Sequence, residues 1–471
     1  MSERKLRAYL GFKKTKRARK ARKEFKKYGP DQMHFGQNIP QGVLDRVKYF
    51  NDKYSSAFAS SNALPPPLKG IDAHKIKFKP GKNTDWKPPK CKEPRWTPAA
   101  KQILTEWTIE KLAQGLIEKA TGSEYCSRIH IAGKGIAGEP KSGEYDVRFC
   151  GDFKLVNECI QKSVPNYPKP LEQIEQATGH KYFWSADGKD QFHSVPMDEA
   201  SRDATTFWTP MGKMRYKRMP FGLINSATIA QGHYRDIMNN NLTPSQLQAL
   251  SNFQDDFCGY ANDLYELAEH WGAFLHMCAT AGITLNADKC HFGIERVVFY
   301  GHEIDKDGHR QTERNLDPID KMVEPENISQ ARTVMGLFNT GLSRVKDFGI
   351  ICKPLHKLTS NKHSFEWTEE CQNAFDTIRK SLLKRNVLRK PNYDWPFYLD
   401  VDASDDGKGG CLYQLHPETN EKLIIAWWSK AWGHTMRGRP PYYKEAEALF
   451  WCLEKKQGLR RRITISRPRK N

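Results

Sequence analysis

The stretch "SNFQDDFCGY" at residues 251–260 places two aspartates side by side in a run that is otherwise aromatic and uncharged. Adjacent carboxylates repel each other, and apolar surroundings make their charges costly unless a positive partner lies nearby. A solvated Asp-Asp turn explains the pair without any function, and the chain has another such pair at Asp405–Asp406. The stretch alone favours the turn, so the rest of the sequence must decide between a turn and a cation site.

Composition limits the class of protein. The 471 residues allow about three domains, and 12 Trp, 23 Phe and 18 Tyr are enough to build hydrophobic cores. No apolar run approaches the roughly 20 residues of a membrane span, and the basic N-terminus lacks the apolar region of a secretory signal. The 11 cysteines form no CxxC pair and are typical of reduced thiols. We expect an intracellular protein of the cytoplasm or nucleus with no membrane partner.

The net charge of +20 is concentrated at the two ends of the chain. Residues 1–27 contain 13 Lys/Arg and 2 Glu, and residues 460–471 contain 6 Lys/Arg and no acid, so the body of the chain is nearly neutral. Basic segments attract phosphates in a salt-sensitive manner, but a nuclear address or a solubilising arm has the same composition. The charge therefore supports nucleic-acid binding only modestly.

The order of patterns along the chain predicts an α+β fold. After the Pro/Lys-rich region, from about residue 125 to 310, short β-type runs alternate with helix-like segments without βαβ regularity. A mostly helical region follows, and the run "PFYLDVDAS" then opens a third segment. We predict the following divisions: a basic disordered arm at 1–30, a Pro/Lys-rich extension at 31–95, a main domain at 96–315, a helical region at 316–395, a partial α/β segment at 396–459 and a basic tail at 460–471.

A second apolar run also ends in an acid, because "YFWSADGKDQF" places Asp187 shortly after three aromatic residues, with Ser185 and Ala186 between them. The interval between Asp187 and Asp255 is long enough for a helix and a hairpin. Two strands could therefore bring these carboxylates together around divalent metal, and hard oxygen ligands suit Mg²⁺. Spacing alone is a weak signal, since any two acids at strand ends fit this description.

Five motifs between residues 100 and 310 carry a family resemblance. They are "GDFKLVNECI", "YFWSADGKDQFHSVPMDEASRDATTF", "YKRMPFGLINSATIAQ", "FQDDF" and "TLNADKCHFGIERVVFYGHEIDKDG". In this order, the chain resembles the reverse transcriptase region of a gypsy-like LTR retrotransposon polyprotein from about residue 100 to 455. The resemblance implies a right-hand polymerase with fingers, palm and thumb, followed by a helical connection and a partial RNase H-like segment.

By this resemblance, Asp187, Asp255 and Asp256 match the palm carboxylates that hold two Mg²⁺ ions, with Mn²⁺ as a substitute. The implied reaction is attack of a primer 3′-hydroxyl on the α-phosphate of a dNTP. The implied partners are an RNA template, a DNA or RNA primer, an RNA–DNA hybrid and dNTPs, and the oligomeric state stays open. The family usually has an aliphatic residue where this chain has Gln254.

The resemblance also assigns residues that contact the incoming nucleotide. Lys141 and Arg148 match triphosphate ligands of the fingers, and a solvated hairpin is the alternative, at even odds for Lys141. Phe192 matches the ring that excludes a ribose 2′-hydroxyl, and core packing is its alternative.

Three further residues are assigned in the same way. Phe221 and Gly222 match a loop beneath the incoming base, where glycine allows close backbone approach. Lys289 matches the lysine near the active site, with a solvated surface lysine as the equal alternative. The family usually has proline where this chain has Ala227.

The segment from residue 396 resembles the start of an RNase H domain. Asp402 and Glu447 match two of its acids, while a two-metal site needs about four carboxylates. No acid follows Glu454, so we expect a truncated or frameshifted domain and doubtful RNase H activity. The predicted function is RNA-directed DNA polymerase. The alternative is a catalytically decayed element-derived protein that binds nucleic acid through its basic tails.

Overall fold

The computed structural model describes residues 29–59, 64–80, 91–133, 147–164, 168–360, 364–455 and 463–466. The predicted basic arm, apart from its last two residues, and Lys141 lie outside these ranges. The chain divides into two compact units. The first comprises residues 1–173 and 182–295, and the second comprises residues 174–181 and 296–471. Each unit is described by itself below.

The helices of the described residues are mostly short. In chain order they are α1 (Gln41–Lys53), α2 (Pro98–Ala113), α3 (Lys154–Cys159), α4 (Pro170–Ala177), α5 (Glu199–Arg202), α6 (Ser226–Asn241), α7 (Pro244–Gln248), α8 (Leu264–Ala281), α9 (Glu313–Asp320), α10 (Ile328–Asn339), α11 (Phe348–Ile351), α12 (Lys353–Lys357), α13 (Glu369–Leu383), α14 (His434–Arg437) and α15 (Pro441–Lys455). Single 3₁₀ turns occur at Pro30–Gln32, Ser55–Ala57, Gln191–Ser194, Asp203–Thr205, Ala287–Lys289 and Leu342–Arg344. Across the described ranges, no helix has the length and apolar character needed to cross a membrane.

The strands are β1 (His34–Phe35), β2 (Ile117–Lys119), β3 (Arg128–Gly133), β4 (Val147–Asp152), β5 (Tyr182–Asp187), β6 (Phe207–Thr209), β7 (Gly212–Tyr216), β8 (Leu250–Phe253), β9 (Asp256–Ala261), β10 (His291–Ile294), β11 (Arg296–Phe299), β12 (His302–Asp305), β13 (His309–Gln311), β14 (Phe397–Ala403), β15 (Gly407–Leu415), β16 (Lys422–Ala431) and β17 (Ile463–Ser466). In the first unit they form a sheet of order β1-β10-β5-β9-β8, a small sheet β2-β7-β6 and the ribbon β3-β4. The second unit contains the sheets β11-β12-β13 and β16-β15-β14-β17.

The middle strand β5 anchors the core of the first unit. Phe183 and Trp184 are both buried although successive residues of a strand point to opposite faces, so the sheet is covered on both sides here. The Trp184 ring lies 5.2 Å from that of Trp271 and 4.6 Å from that of Phe274, both on α8. The N-cap Asp263 fixes the start of α8, because its side chain accepts hydrogen bonds from two backbone N–H groups of the first turn.

The Pro/Lys-rich extension contributes directly to this core, which its composition did not reveal. Strand β1 pairs in parallel with β10, and helix α1 packs against α8. Val43, Val47 and Phe50 are buried along α1, and Asn51 accepts a 2.9 Å hydrogen bond from the Trp271 indole N–H. The spacing of these three apolar residues is typical of a helix. The prolines and lysines further along the chain obscured this pattern in the sequence.

The second unit contains a helical core. Helices α9, α10 and α13 bury Leu316, Phe338 and Phe375 among other apolar residues, and the two phenylalanine rings lie 5.5 Å apart. This part of the structure has the helical character predicted for residues 316–395.

The RNase H-like sheet lies at the end of the second unit. Helix α15 packs on β14 and β15, and the short helix α11 contacts β15 and β16. Strand β17 pairs in parallel with β14, from Phe397↔Ile463 to Asp400↔Ser466. Residues 463–466 thus belong to the sheet, although their basic neighbours led us to predict a tail. Their alternation, "ITIS", is typical of a strand.

Candidate active site

Three carboxylates lie at one end of two neighbouring strands in the first unit. Strand β5 ends at Asp187, β9 begins at Asp256, and the antiparallel register makes these two residues Cα partners. Asp255 precedes Asp256 in the tight turn between β8 and β9, and its carbonyl accepts a 2.7 Å hydrogen bond from the Gly188 N–H. The structure therefore brings together the three acids that the sequence singled out.

A buried pair of amide side chains holds this turn. The Gln231 Oε1 accepts a 2.6 Å hydrogen bond from the Gln254 N–H, and the Gln231 Nε2 donates to Asn252 Oδ1 at 2.7 Å. Asn252 in turn donates to the carbonyls of Gln254 and Asp256 at 2.9 and 3.1 Å. Gln231 and Asn252 are each 3% exposed, so these bonds are shielded from water and fix the turn.

Sequence reasoning did not credit Gln231 or Asn252, although both stand within quoted stretches. The sequence signal for such residues is an uncharged polar side chain within an otherwise apolar helix or strand. Gln254 itself adopts a left-handed backbone conformation with φ 52° and is only half-buried, so its polar side chain is tolerated at the turn.

Asp187 is surrounded by donors. Asn286 donates to its Oδ1 at 2.6 Å, and the Lys289 Nζ lies 3.1 and 2.9 Å from its two carboxylate oxygens. The Lys289 side chain is 58% exposed, while that of Asp187 is 17% exposed. The structure thus places Lys289 at the acidic site and not at a distant surface position.

Negative charges are crowded at this strand end. Desolvation of the Asp256 carboxyl, and then the charges of Asp255 and Asp187, raise its pKa to about 6, while Lys289 acts in the opposite direction. The Asp256 side chain is itself open to solvent, so its two acidic neighbours are the part of this shift that a bound cation would reverse.

The donor chemistry at this strand end fits a divalent cation. Carboxylate oxygens are the ligands that Mg²⁺ prefers, and three acids at one strand end are otherwise repulsive. In the described ranges, no three His, Cys, Asp or Glu side chains are already arranged as a metal cage. At Asp187, Lys289 and Asn286 engage the carboxylate oxygens. Lys289 must move aside for a metal to bind there, and its exposure makes that movement inexpensive.

Two aromatic residues assigned to the nucleotide contact each other. Phe192 lies in the 3₁₀ turn after β5, and its ring meets that of Phe221 edge-on with centroids 5.0 Å apart. Phe192 is half-buried against the core, whereas Phe221 is 40% exposed. The pair forms an aromatic wall, and only its Phe221 side is broadly accessible.

Gly222 occupies a position that excludes a side chain. Its φ is +94°, and a Cβ atom there would lie 2.6 Å from the carbonyl oxygen of Gly151 in β4. Asn157 secures the same loop, donating to the Gly222 carbonyl at 2.8 Å and accepting from the Ile224 N–H at 2.9 Å. Asn157 is a third residue that sequence reasoning missed. Arg148 lies three residues before Gly151 in the same strand, opposite Ala132.

The two acids of the RNase H-like segment are not brought together. Asp402 pairs with Gly409, and Ala403 with Lys408, in the antiparallel register of β14 and β15. Directly opposed residues share a face and successive residues alternate, so Asp402 and Lys408 project from opposite faces. Glu447 on α15 contacts Lys408 at 2.8 Å. Asp402 therefore points away from the face on which Glu447 lies.

Comparisons with known proteins match this organisation. Residues 140–304 match the reverse transcriptase (RNA-dependent DNA polymerase) family, and residues 367–462 match the RNase H-like domain found in reverse transcriptase. The chain carries a reverse transcriptase domain and an RNase H-like domain.

Its relatives include transposon polyproteins. The retrovirus-related Pol polyprotein from transposon 412 of Drosophila melanogaster is 25% identical over 88% of this chain and 32% of its own length. The corresponding protein from transposon gypsy of the same organism is 26% identical over 74% of this chain and 34% of its own length. The chain is thus similar to part of retrotransposon polyproteins, gypsy among them, and it spans about a third of the length of these relatives.

Solved structures confirm the predicted fold class. A foamy viral protease-reverse transcriptase dRH in complex with double-stranded DNA superposes with a TM-score of 0.75 at 20% identity, covering 96% of this chain and 75% of that one. The foamy viral protease-reverse transcriptase in complex with an RNA/DNA hybrid gives a TM-score of 0.70 at 20% identity, covering 96% and 58%. The α+β polymerase with an RNase H-like segment is therefore the fold of this chain.

Proposed function

We propose that this chain is an RNA-directed DNA polymerase that adds dNTPs to a primer 3′-hydroxyl. The observation that carries the proposal is the β5–β9 register, which sets Asp187 opposite Asp256 with Asp255 in the adjoining turn. The reverse transcriptase match over residues 140–304 supports it. An RNA template, a DNA or RNA primer and the resulting hybrid are the proposed nucleic-acid partners.

Asp187 and Asp255 would hold Mg²⁺, with Asp256 completing the acidic turn. Bound Mg²⁺ supplies positive charge that favours ionisation of the attacking hydroxyl and offsets charge on the phosphoryl group. Gln231 and Asn252 keep the turn fixed while the charge at the site changes. Reverse transcriptases in general depend on divalent metal, and a requirement for two ions in this chain is part of the proposal.

Other residues of the site bind and select the nucleotide. Lys289 brings an ammonium to the acidic strand end, where it can pair with a phosphate oxygen once it leaves Asp187. Arg148 and Lys141 are proposed as further triphosphate ligands. The ring of Phe192, held by Phe221, is proposed to exclude a 2′-hydroxyl.

Primer extension on a homopolymer RNA template with dNTPs and Mg²⁺ tests the proposal. We expect the parent chain to extend the primer and Asp255→Asn to abolish extension, because the amide keeps the volume and loses the charge. Asp263→Asn is the matched control in the same unit, since asparagine also caps a helix and this acid lies outside the site. A parent chain that binds template-primer without extending it, or an active Asp255→Asn variant, would contradict the proposal.

A further inference from the structure

The side chain of Lys408 is enclosed in the RNase H-like unit. It is 7% exposed, and its Nζ lies 2.8 Å from Glu447 Oε1. The same Nζ lies 5.1 and 5.0 Å from the ring centroids of Trp432 and Trp451. A carboxylate and two indole rings thus surround one ammonium, and indoles are the aromatic side chains that attract cations most strongly.

A second enclosed lysine lies close by along α15. Lys444 stands three residues before Glu447, so the two lie on neighbouring turns of one helix face. The Lys444 side chain is 5% exposed, and its Nζ contacts Asp405 Oδ1 at 2.7 Å. Protein ammonium groups therefore already compensate two carboxylates in this part of the unit.

A divalent cation at Glu447 would compete with Lys408. The Glu447 side chain is 44% exposed, but the enclosed stem of Lys408 would hold the ammonium a few ångströms from the metal, and like charges at that distance repel. Asp402 adds no ligand, since it projects from the other face of the sheet. The residues at Glu447 do not fit the metal site that an RNase H domain implies.

We propose that Lys408 is the permanent counterion of Glu447, and that the RNase H-like domain of this chain is a structural unit that neither binds Mg²⁺ through Glu447 nor cleaves RNA. This inference is independent of the polymerase proposal, because all of its residues lie in the second unit. It rests on the Lys408 ammonium and does not depend on where the chain ends.

Substitutions of the pair test the counterion role through stability. Lys408→Met keeps the stem between the tryptophans and removes the charge, so we expect a clear fall in the melting temperature of the full chain. Glu447→Gln should also lower it, because it strands the buried ammonium. The double variant should lose less than the sum of the two single losses, since neither charge is then left unpaired.

The matched control is Lys353→Met. Lys353 pairs with Asp406 at 2.8 Å, but Asp406 is 64% exposed, and exposed pairs contribute little. We expect the control to melt close to the parent. Additive losses for Lys408→Met and Glu447→Gln, or a Lys408→Met variant that melts like Lys353→Met, would overturn the proposal.

Mg²⁺ binding and RNA cleavage are two further measurements. If Glu447 serves only as the partner of Lys408, its substitution should change neither of them. In an Asp255→Asn background, which weakens the polymerase site, Mg²⁺ should shift the melting temperature equally with and without Glu447→Gln. The labelled RNA of an RNA–DNA hybrid should stay intact in Mg²⁺ or Mn²⁺. A Mg²⁺ shift that requires Glu447, or RNA fragments that disappear with Glu447→Gln, would overturn the inference. Primer extension by Lys408→Met, measured in parallel, separates this outcome from failure of the polymerase proposal.

Discussion

Each unit of the chain holds a lysine against a carboxylate, and the surroundings of the two lysines differ. Lys289 contacts Asp187 at 2.9 Å with 58% of its side chain exposed, whereas Lys408 contacts Glu447 at 2.8 Å with 7% exposed. The contact distances are similar, so the exposure of the lysine side chain is what distinguishes the two pairs. An exposed ammonium can be exchanged for a metal at little cost, and an enclosed one cannot.

The backbone reinforces this difference. In the first unit, the register of β5 and β9 sets Asp187 directly opposite Asp256. In the RNase H-like sheet, the register of β14 and β15 turns Asp402 away from Lys408 and Glu447. A one-residue difference in strand position decides whether acids gather or separate, because side chains alternate between faces.

The largest expected effect comes from the same substitution made in both units. Asp187→Asn should lower primer extension by about a hundred-fold to a thousand-fold or more, the range for losing one charge-stabilising group. Asp402→Asn should leave extension at the parent's rate. Single-turnover extension on one template-primer measures both variants. Equal losses would mean that the two acidic sites are not functionally distinct.

A second comparison concerns buried glutamines. Gln231→Leu removes the bonds that fix the acidic turn, so we expect turnover to fall by about tenfold to a hundred-fold through misplacement of the acids. Gln414, also buried, bonds the backbone of Asn392 and Trp395 in the second unit.

Gln414→Leu is therefore the matched control. It should cost about 1–3 kcal/mol of stability, as Gln231→Leu should, because each leaves buried polar groups unpaired. Extension at saturating substrate should be lost only with Gln231→Leu. A Gln231→Leu enzyme with the parent's turnover would show that the turn positions itself without this glutamine.

Selectivity for the sugar is expected to respond to Phe192→Gly. Removing the ring takes away the proposed barrier to a 2′-hydroxyl, so the ratio of ribonucleotide to deoxyribonucleotide incorporation should rise by about tenfold or more, the scale of a lost steric contact. Competitive incorporation by an active variant measures that ratio. An unchanged ratio would return Phe192 to ordinary core packing against Phe221.

The pH dependence of metal stabilisation should differ between the units. The raised pKa of Asp256, about 6, means that without metal its contribution to stability is fully present below the ordinary carboxyl pKa and is lost as pH rises through 6. Mg²⁺ should therefore raise the melting temperature by a few degrees more at about pH 7.5 than at about pH 5.

Asp256→Asn should abolish most of that difference, and Glu447→Gln should leave it intact. Differential scanning fluorimetry at the two pH values gives the comparison. A pH-independent Mg²⁺ shift would show that the metal does not act at Asp187, Asp255 and Asp256.

The sequence predicted the elements that local pattern determines. The apolar runs that end at Asp187 and turn at Asp255 predicted two strands with acids at one end, and the motif order predicted the polymerase fold. Contacts over long separations were not accessible in this way. Nothing local shows that Gln231 and Asn252 meet, and Lys408 resembles any surface lysine until Trp432 and Trp451 enclose it.

One assay on one substrate tests the central contrast most directly. An RNA template and a DNA primer, each with its own label, are annealed and incubated with the full chain, Mg²⁺ and dNTPs. We predict that the primer is extended while the RNA strand stays intact over the same time. Extension accompanied by RNA fragments would contradict the account of the enclosed Lys408–Glu447 pair. A primer left unextended would contradict the account of the acidic site at Asp187, Asp255 and Asp256.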